Sequence, residues 1–110
     1  MTELAKQRCD ACTGDTPVLT ADEVARLEGE ISAEWSVHEG AALVRRQRFE
    51  DFARAFQRAT AVAAIAEEEG HHPELTVGWG HLDIVITTHA VGGLTRNDFI
   101  LAAKIDELSA

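Results

Sequence analysis

The apolar positions of this chain change period several times, and each change marks an element. Residues 1–18 have no period and contain Gly14 and Pro17; they read as an irregular N-terminal arm with room for a short helical turn. Val24, Leu27 and Ile31 then recur at helical spacing. Thr20 and Glu23 form a capping-box pair in front of them, with Leu19 placed to staple Val24, which predicts a helix to about Glu30. Trp35 and Val37 alternate with polar neighbours, Glu39-Gly40 turns, and Leu43 to Phe49 alternates again: two strands. Phe52, Phe56, Ala59, Ala63 and Ala66 return to helical spacing and predict the longest helix, from Asp51 to Glu69, with Gly70 just beyond its end. Leu75, Val77 and Trp79, then Leu82, Ile84 and Ile86, predict a hairpin turning at Gly80. After the Gly92-Gly93 loop, Thr95 caps a last helix with Asp98 at its third position. Leu94 can staple Phe99, and Leu101, Ile105 and Leu108 form the stripe. The order α-β-β-α-β-β-α predicts an α+β fold, with a four-stranded antiparallel sheet and three helices packed on one face. Residues 19–110 read as its single domain.

Charge narrows the partners. The net charge is −9, and Arg45, Arg46 and Arg48 of one strand are three of ten basic residues. That strand reads as a solvated or edge face. Nucleic acid and anionic membranes are not expected partners, because binding them needs clustered Lys and Arg. No apolar run approaches the roughly 20 residues that span a bilayer, and MTELAKQRCD has no apolar signal region, so the expected compartment is the cytoplasm. Cys9 and Cys12 form a C-x-x-C pair without the second pair of a zinc site, in a polar segment unlike the strand-to-helix setting of a redox pair. They read as structural or incidental.

The chemistry lies after the long helix. His71 and His72 follow Gly70, His89 ends a strand beside a glycine loop, and histidine is the side chain that titrates near neutral pH. His38 and His81 have no such companions and read as surface residues. Carboxylates are unfavourable at a helix C-terminus, so either Glu67, Glu68 and Glu69 are exposed and screened or at least one orients a histidine; Glu67, four residues before His71, is the candidate. Asp98 reads equally as a capping carboxylate. Neighbouring residues in an extended segment face opposite ways, which disfavours a zinc site made by His71, His72 and His89 without removing it.

The spacing Glu67-x3-His71-His72-Pro73-x5-Trp79-x9-His89-x8-Asp98 resembles the signature of the pterin-4a-carbinolamine dehydratases. Arg48-Phe49-x-Asp51-Phe52, Thr88-His89, Gly93-Leu94-Thr95 and the last helix resemble the family too, so the likeness covers about residues 18 to 108. The resemblance implies a four-stranded sheet with three helices. It implies dehydration of a 4a-hydroxytetrahydropterin to the quinonoid dihydropterin, with no metal and no organic cofactor. It makes His71 and His89 the acid/base candidates and gives His72 the placing of the pterin. Glu67 and Asp98 would orient histidines or contact the ring, with Pro73, Trp79 and Thr88 also at the site. It further implies a homodimer or homotetramer. Other classes stay open: a binding or assembly module, since animal members act as dimerisation cofactors for a homeodomain factor and some bacterial ones in carboxysome Rubisco assembly, and a three-histidine metal hydrolase.

Overall fold

A computed structural model describes residues 3–10 and 14–108; Cys12 lies outside them. The elements are a 3-10 turn (Leu4–Lys6), α1 (Ala21–Glu28), β1 (Ser36–His38), β2 (Ala42–Arg48), α2 (Phe52–Glu69), β3 (Glu74–Gly78), β4 (His81–Ile86) and α3 (Arg96–Asp106). The strands form one antiparallel sheet in the order β1-β2-β4-β3. The predicted class and element order hold.

Local chemistry accounts for the boundaries. Thr20 and Glu23 close the capping box of α1 in both directions. That helix stops at Glu28, short of Glu30, because Gly29 and Glu30 already form turn bonds to Arg26 and Leu27. Between β1 and β2, Glu39 and Gly40 both adopt positive φ, 52° and 69°, which is the primed turn that suits the strand twist. Asp51 caps α2 by accepting from the Arg54 N–H at 2.9 Å. Gly70 ends it at φ 67°, a conformation that costs an L-residue about 1–2 kcal/mol.

One face of the sheet carries Leu43, Leu82, Ile84 and Ile86, all fully buried. They share a core with Val24 and Leu27 of α1, Ala59 and Val62 of α2, and Leu94, Phe99 and Leu101 of the last segment. Phe99→Ala should destabilise the fold by about 3–5 kcal/mol, to be read as a lowered denaturation midpoint with unchanged slope.

Two expectations need correction. The buried stripe of α2 is Ala55, Ala59, Val62, Ala66 and Glu69; Phe52 and Phe56, stacked at 6.1 Å, and Ala63 face outward. Small residues sit inward because the helix lies close on the sheet, so the large apolar side chains misled the periodicity. Second, β2 is a central strand. Its Arg45 turns inward because Asp106, at 2.5 Å, and Glu34 compensate its charge over the Trp35 ring, while Arg46 pairs with Asp83 on the open face. The Arg46 guanidinium bonded to Asp83 holds that carboxyl below its ordinary value, against a smaller effect of burial. The N-terminal arm carries a short helical turn, for which its sequence had room, and it also joins the core: Leu4 is fully buried and packs with α3, whose residues are therefore buried nearly all round.

Candidate active site

The left-handed turn at Gly70 places His71 directly behind α2, with its N–H still bonded to the Ala66 carbonyl at 3.3 Å. From the other side, Asp98 enters on the first turn of α3. Its carboxylate does two jobs that the sequence left as alternatives. Oδ2 accepts from the Thr95 N–H at 2.8 Å, which is the capping function, and from the Thr88 hydroxyl at 2.8 Å. Oδ1 meets Nε2 of His71 at 2.6 Å. The Asp98 side chain is fully buried and that of His71 is 11% exposed.

This network fixes proton positions. A carboxylate only accepts, so Thr88 spends its proton on Oδ2 and must accept from the Thr95 hydroxyl, 2.9 Å away. By the same reasoning the His71 proton lies on Nε2, and the neutral ring presents its lone pair at Nδ1. Thr95 was legible only as a cap; its hydroxyl belongs to this network, and nothing in the residue pattern signalled the turn towards Thr88.

His72 points elsewhere, as adjacent extended residues do. Its Nε2 meets Oε2 of Glu67 at 2.5 Å, with the two side chains 59% and 77% exposed. Glu67 therefore orients His72 and not His71, the neighbour its spacing suggested. An exposed pair of this kind adds at most about 1 kcal/mol of stability. His89 is exposed and follows Thr88 directly. It lies in the loop closed by the Thr88–Gly93 bridge, where Thr88 N–H bonds the Gly93 carbonyl at 3.1 Å. Pro73 leads from His72 into β3. The structure thus gathers His71, Asp98, Thr88 and Thr95 into one hydrogen-bonded chain, with the Glu67–His72 pair next along the backbone and His89 next to Thr88.

Trp79 is not gathered there. The whole of β3 separates it from Pro73, about 20 Å at roughly 3.3 Å per residue, and it stands 74% exposed at the opposite end of the hairpin. The hairpin read from the alternation of Leu75, Val77 and Trp79 already implied this separation, because a strand carries its two ends apart. Glu69 also departs from expectation. Its side chain is 2% exposed and accepts from Cys9 N–H at 2.9 Å and Arg8 Nε at 3.0 Å, with Lys104 Nζ at 3.7 Å. Burial works against its charge, but the Cys9 N–H, Lys104 and Arg8 outweigh it and hold the carboxyl below its ordinary value. The signal for this was a carboxylate in a helix's last turn, where it needs cations. Among the described residues no group of three or more His, Cys, Asp and Glu is arranged to hold a metal ion, and no helix is long and apolar enough to cross a membrane.

Comparison with known proteins gives a consistent result. The family model described as pterin 4 alpha carbinolamine dehydratase matches residues 17–108. A Rickettsia canadensis protein, named provisionally as a pterin-4-alpha-carbinolamine dehydratase, is 44% identical, covering 96% of this chain and 97% of its own. Among solved structures, a transcriptional coactivator/pterin dehydratase from Brucella melitensis superposes with a TM-score of 0.74 at 30% identity, over 81% of this chain and 95% of that one. A pterin dehydratase-like protein identified as a RuBisCO assembly factor of the alpha-carboxysome gives 0.56 at 25% identity, over 66% and 86%. With a family model spanning most of its length, a relative of this identity and a shared fold, the chain belongs to the pterin-4-alpha-carbinolamine dehydratase family.

Proposed function

We propose that the protein is a cytoplasmic hydro-lyase that dehydrates a 4a-hydroxytetrahydropterin to the quinonoid dihydropterin by proton transfer through histidines. The observation that carries this reading is the buried His71–Asp98 pair, held by Thr88 and Thr95 beside His89. In the reaction the C4a hydroxyl leaves as water after gaining a proton, and a ring nitrogen gives one up. A carboxylate behind an imidazole fixes its tautomer and stabilises the imidazolium formed when it takes a proton. His71 therefore serves as the base, through Nδ1, and His89, exposed on its loop, serves as the acid. His72, oriented by Glu67, binds and places the pterin. The reaction asks for no metal and no organic cofactor. The test is turnover of a 4a-hydroxytetrahydropterin before and after chelator treatment. Turnover that survives the chelator is expected; turnover abolished by the chelator and restored by zinc would contradict the metal-free reading.

A second reading, a binding or assembly module, is favoured by one feature. Phe52 and Phe56 are 47% and 55% exposed on α2, and Trp79 is exposed at the hairpin tip, remote from the histidines. Contiguous exposed aromatics mark contact surfaces. Within the enzymatic reading the same residues support a homodimer or homotetramer. Sedimentation at micromolar concentration should show an oligomer, weakened by Phe56→Ser; a wild-type monomer would contradict this.

A further inference from the structure

The two halves of the buried pair come from different elements, and a third segment ties those elements together. His71 follows α2 by two residues; Asp98 is on the first turn of α3. Residues 4–10 cross both. Leu4 is fixed in the core, and Lys104 of α3 donates to the Ala5 carbonyl at 2.8 Å. Arg8 donates to the Glu68 carbonyl at 3.2 Å and pairs with Glu69, the last residue of α2, which also takes the Cys9 N–H. One residue on, the Asn97 amide pairs with both backbone groups of Asp10: its Oδ1 accepts from the Asp10 N–H at 3.0 Å and its Nδ2 donates to the Asp10 carbonyl at 2.6 Å. Successive residues of one segment, Arg8, Cys9 and Asp10, thus hold the end of α2 and the start of α3.

We infer that residues 4–10 are a strap that sets the separation of His71 and Asp98, and that Glu69 and Asn97 are positioning residues for this pair. Neither touches His71 or Asp98 through its side chain. Each is fastened to the strap within two residues of the group it positions, and each is a buried polar group that the strap partners: the Glu69 carboxylate takes the Cys9 N–H and Arg8, beside Lys104 of α3, and the Asn97 amide takes both backbone groups of Asp10. Without the strap, the 2.6 Å contact between His71 and Asp98 depends on the α2–α3 packing, which includes the Glu69–Lys104 approach of 3.7 Å.

The inference rests on the proposed role of His71 only for its kinetic consequence, so the test has two readouts. Two-bond proton–nitrogen spectra of the histidine rings report the His71 tautomer whether or not the protein turns over. The wild type should show His71 as the Nε2–H tautomer. Glu69→Gln and Asn97→Ala should each shift it to a mixture, with circular dichroism unchanged. Trp35→Phe serves as the control: it removes the indole bond to Asp106, 2.8 Å, at the far end of α3 and loosens the same helix without touching the strap. It should leave the His71 signal as in the wild type. With substrate, the two strap variants should lose on the order of tenfold in kcat, as small misplacements near reacting groups do, with KM changed less than about twofold. An unshifted His71 tautomer in both strap variants, or an equal shift in Trp35→Phe, would overturn the inference. An inactive wild type with the tautomer pattern as expected would leave the strap intact and remove the dehydratase reading instead. Should Glu69→Gln fail to fold, Asn97→Ala, whose side chain makes no ion pair, decides alone.

Discussion

Replacing His71 or His89 with alanine should lower kcat by on the order of 10² to 10⁴, the usual loss when a general acid or base is removed. The double variant should be little worse than the poorer single one, because the effects of residues that act as one catalytic unit are not additive. His72→Ala and Glu67→Gln form a contrasting set. Their pair is exposed and lies outside the Asp98 network, so they should mainly raise KM, as loss of substrate binding does. Steady-state kinetics on these variants, with the uncatalysed dehydration subtracted and folding checked by circular dichroism, separates the two sets. A His72→Ala protein without kcat, beside near-normal His71→Ala and His89→Ala proteins, would show that the roles are wrongly distributed.

Asp98→Asn should cost as much as losing a histidine while leaving the fold nearly intact. An asparagine can present its carbonyl to the Thr95 N–H and the Thr88 hydroxyl, so the helix start stays capped. Its amide then faces Nε2 of His71 as a donor. The imidazole must accept there and carry its proton on Nδ1, the wrong nitrogen for a base. The corresponding substitution behind a catalytic histidine of serine proteases costs about 10⁴ through the same tautomer change, and a loss on the order of 10² to 10⁴ in kcat is expected here. Asp98→Ala should differ in kind. It leaves the buried Thr95 N–H and Thr88 hydroxyl without their acceptor, at about 1–3 kcal/mol each, so melting temperature should fall along with activity. The comparison of kcat and Tm across these two variants distinguishes a proton-placing carboxylate from a mere cap.

The elements with strong local signals were legible from the residues alone. The capping boxes at Thr20 and Thr95, the left-handed Gly70 and the alternation of Leu82, Ile84 and Ile86 are nearest-neighbour effects, and the structure reproduces them. What stayed hidden depends on contacts distant in sequence. The inward face of α2 is lined by alanines, which carry little hydrophobic contrast, so the exposed Phe52 and Phe56 dominated the pattern. Arg45 could turn inward only because Asp106 waits 61 residues away. At the site, the candidates His71, His72, His89, Glu67 and Asp98 were visible as residues, but their pairing was not. Glu67 lies four positions before His71 and five before His72; the reversal at Gly70 decides which it meets. Asp98 looked like a choice between a cap and a partner for histidine because the sequence does not show that its two oxygens face different donors.

The central claim is that this chain removes water from a pterin carbinolamine by histidine proton transfer. The most direct measurement is the stopped-flow rate of quinonoid dihydropterin formation from a 4a-hydroxytetrahydropterin, at neutral pH and increasing protein concentration, for the wild type and the His71→Ala, His89→Ala double variant. The account predicts a rate that rises in proportion to wild-type protein above the uncatalysed background and a double variant close to that background. A wild-type rate that stays at background while the protein is folded, or a double variant as fast as the wild type, would contradict it.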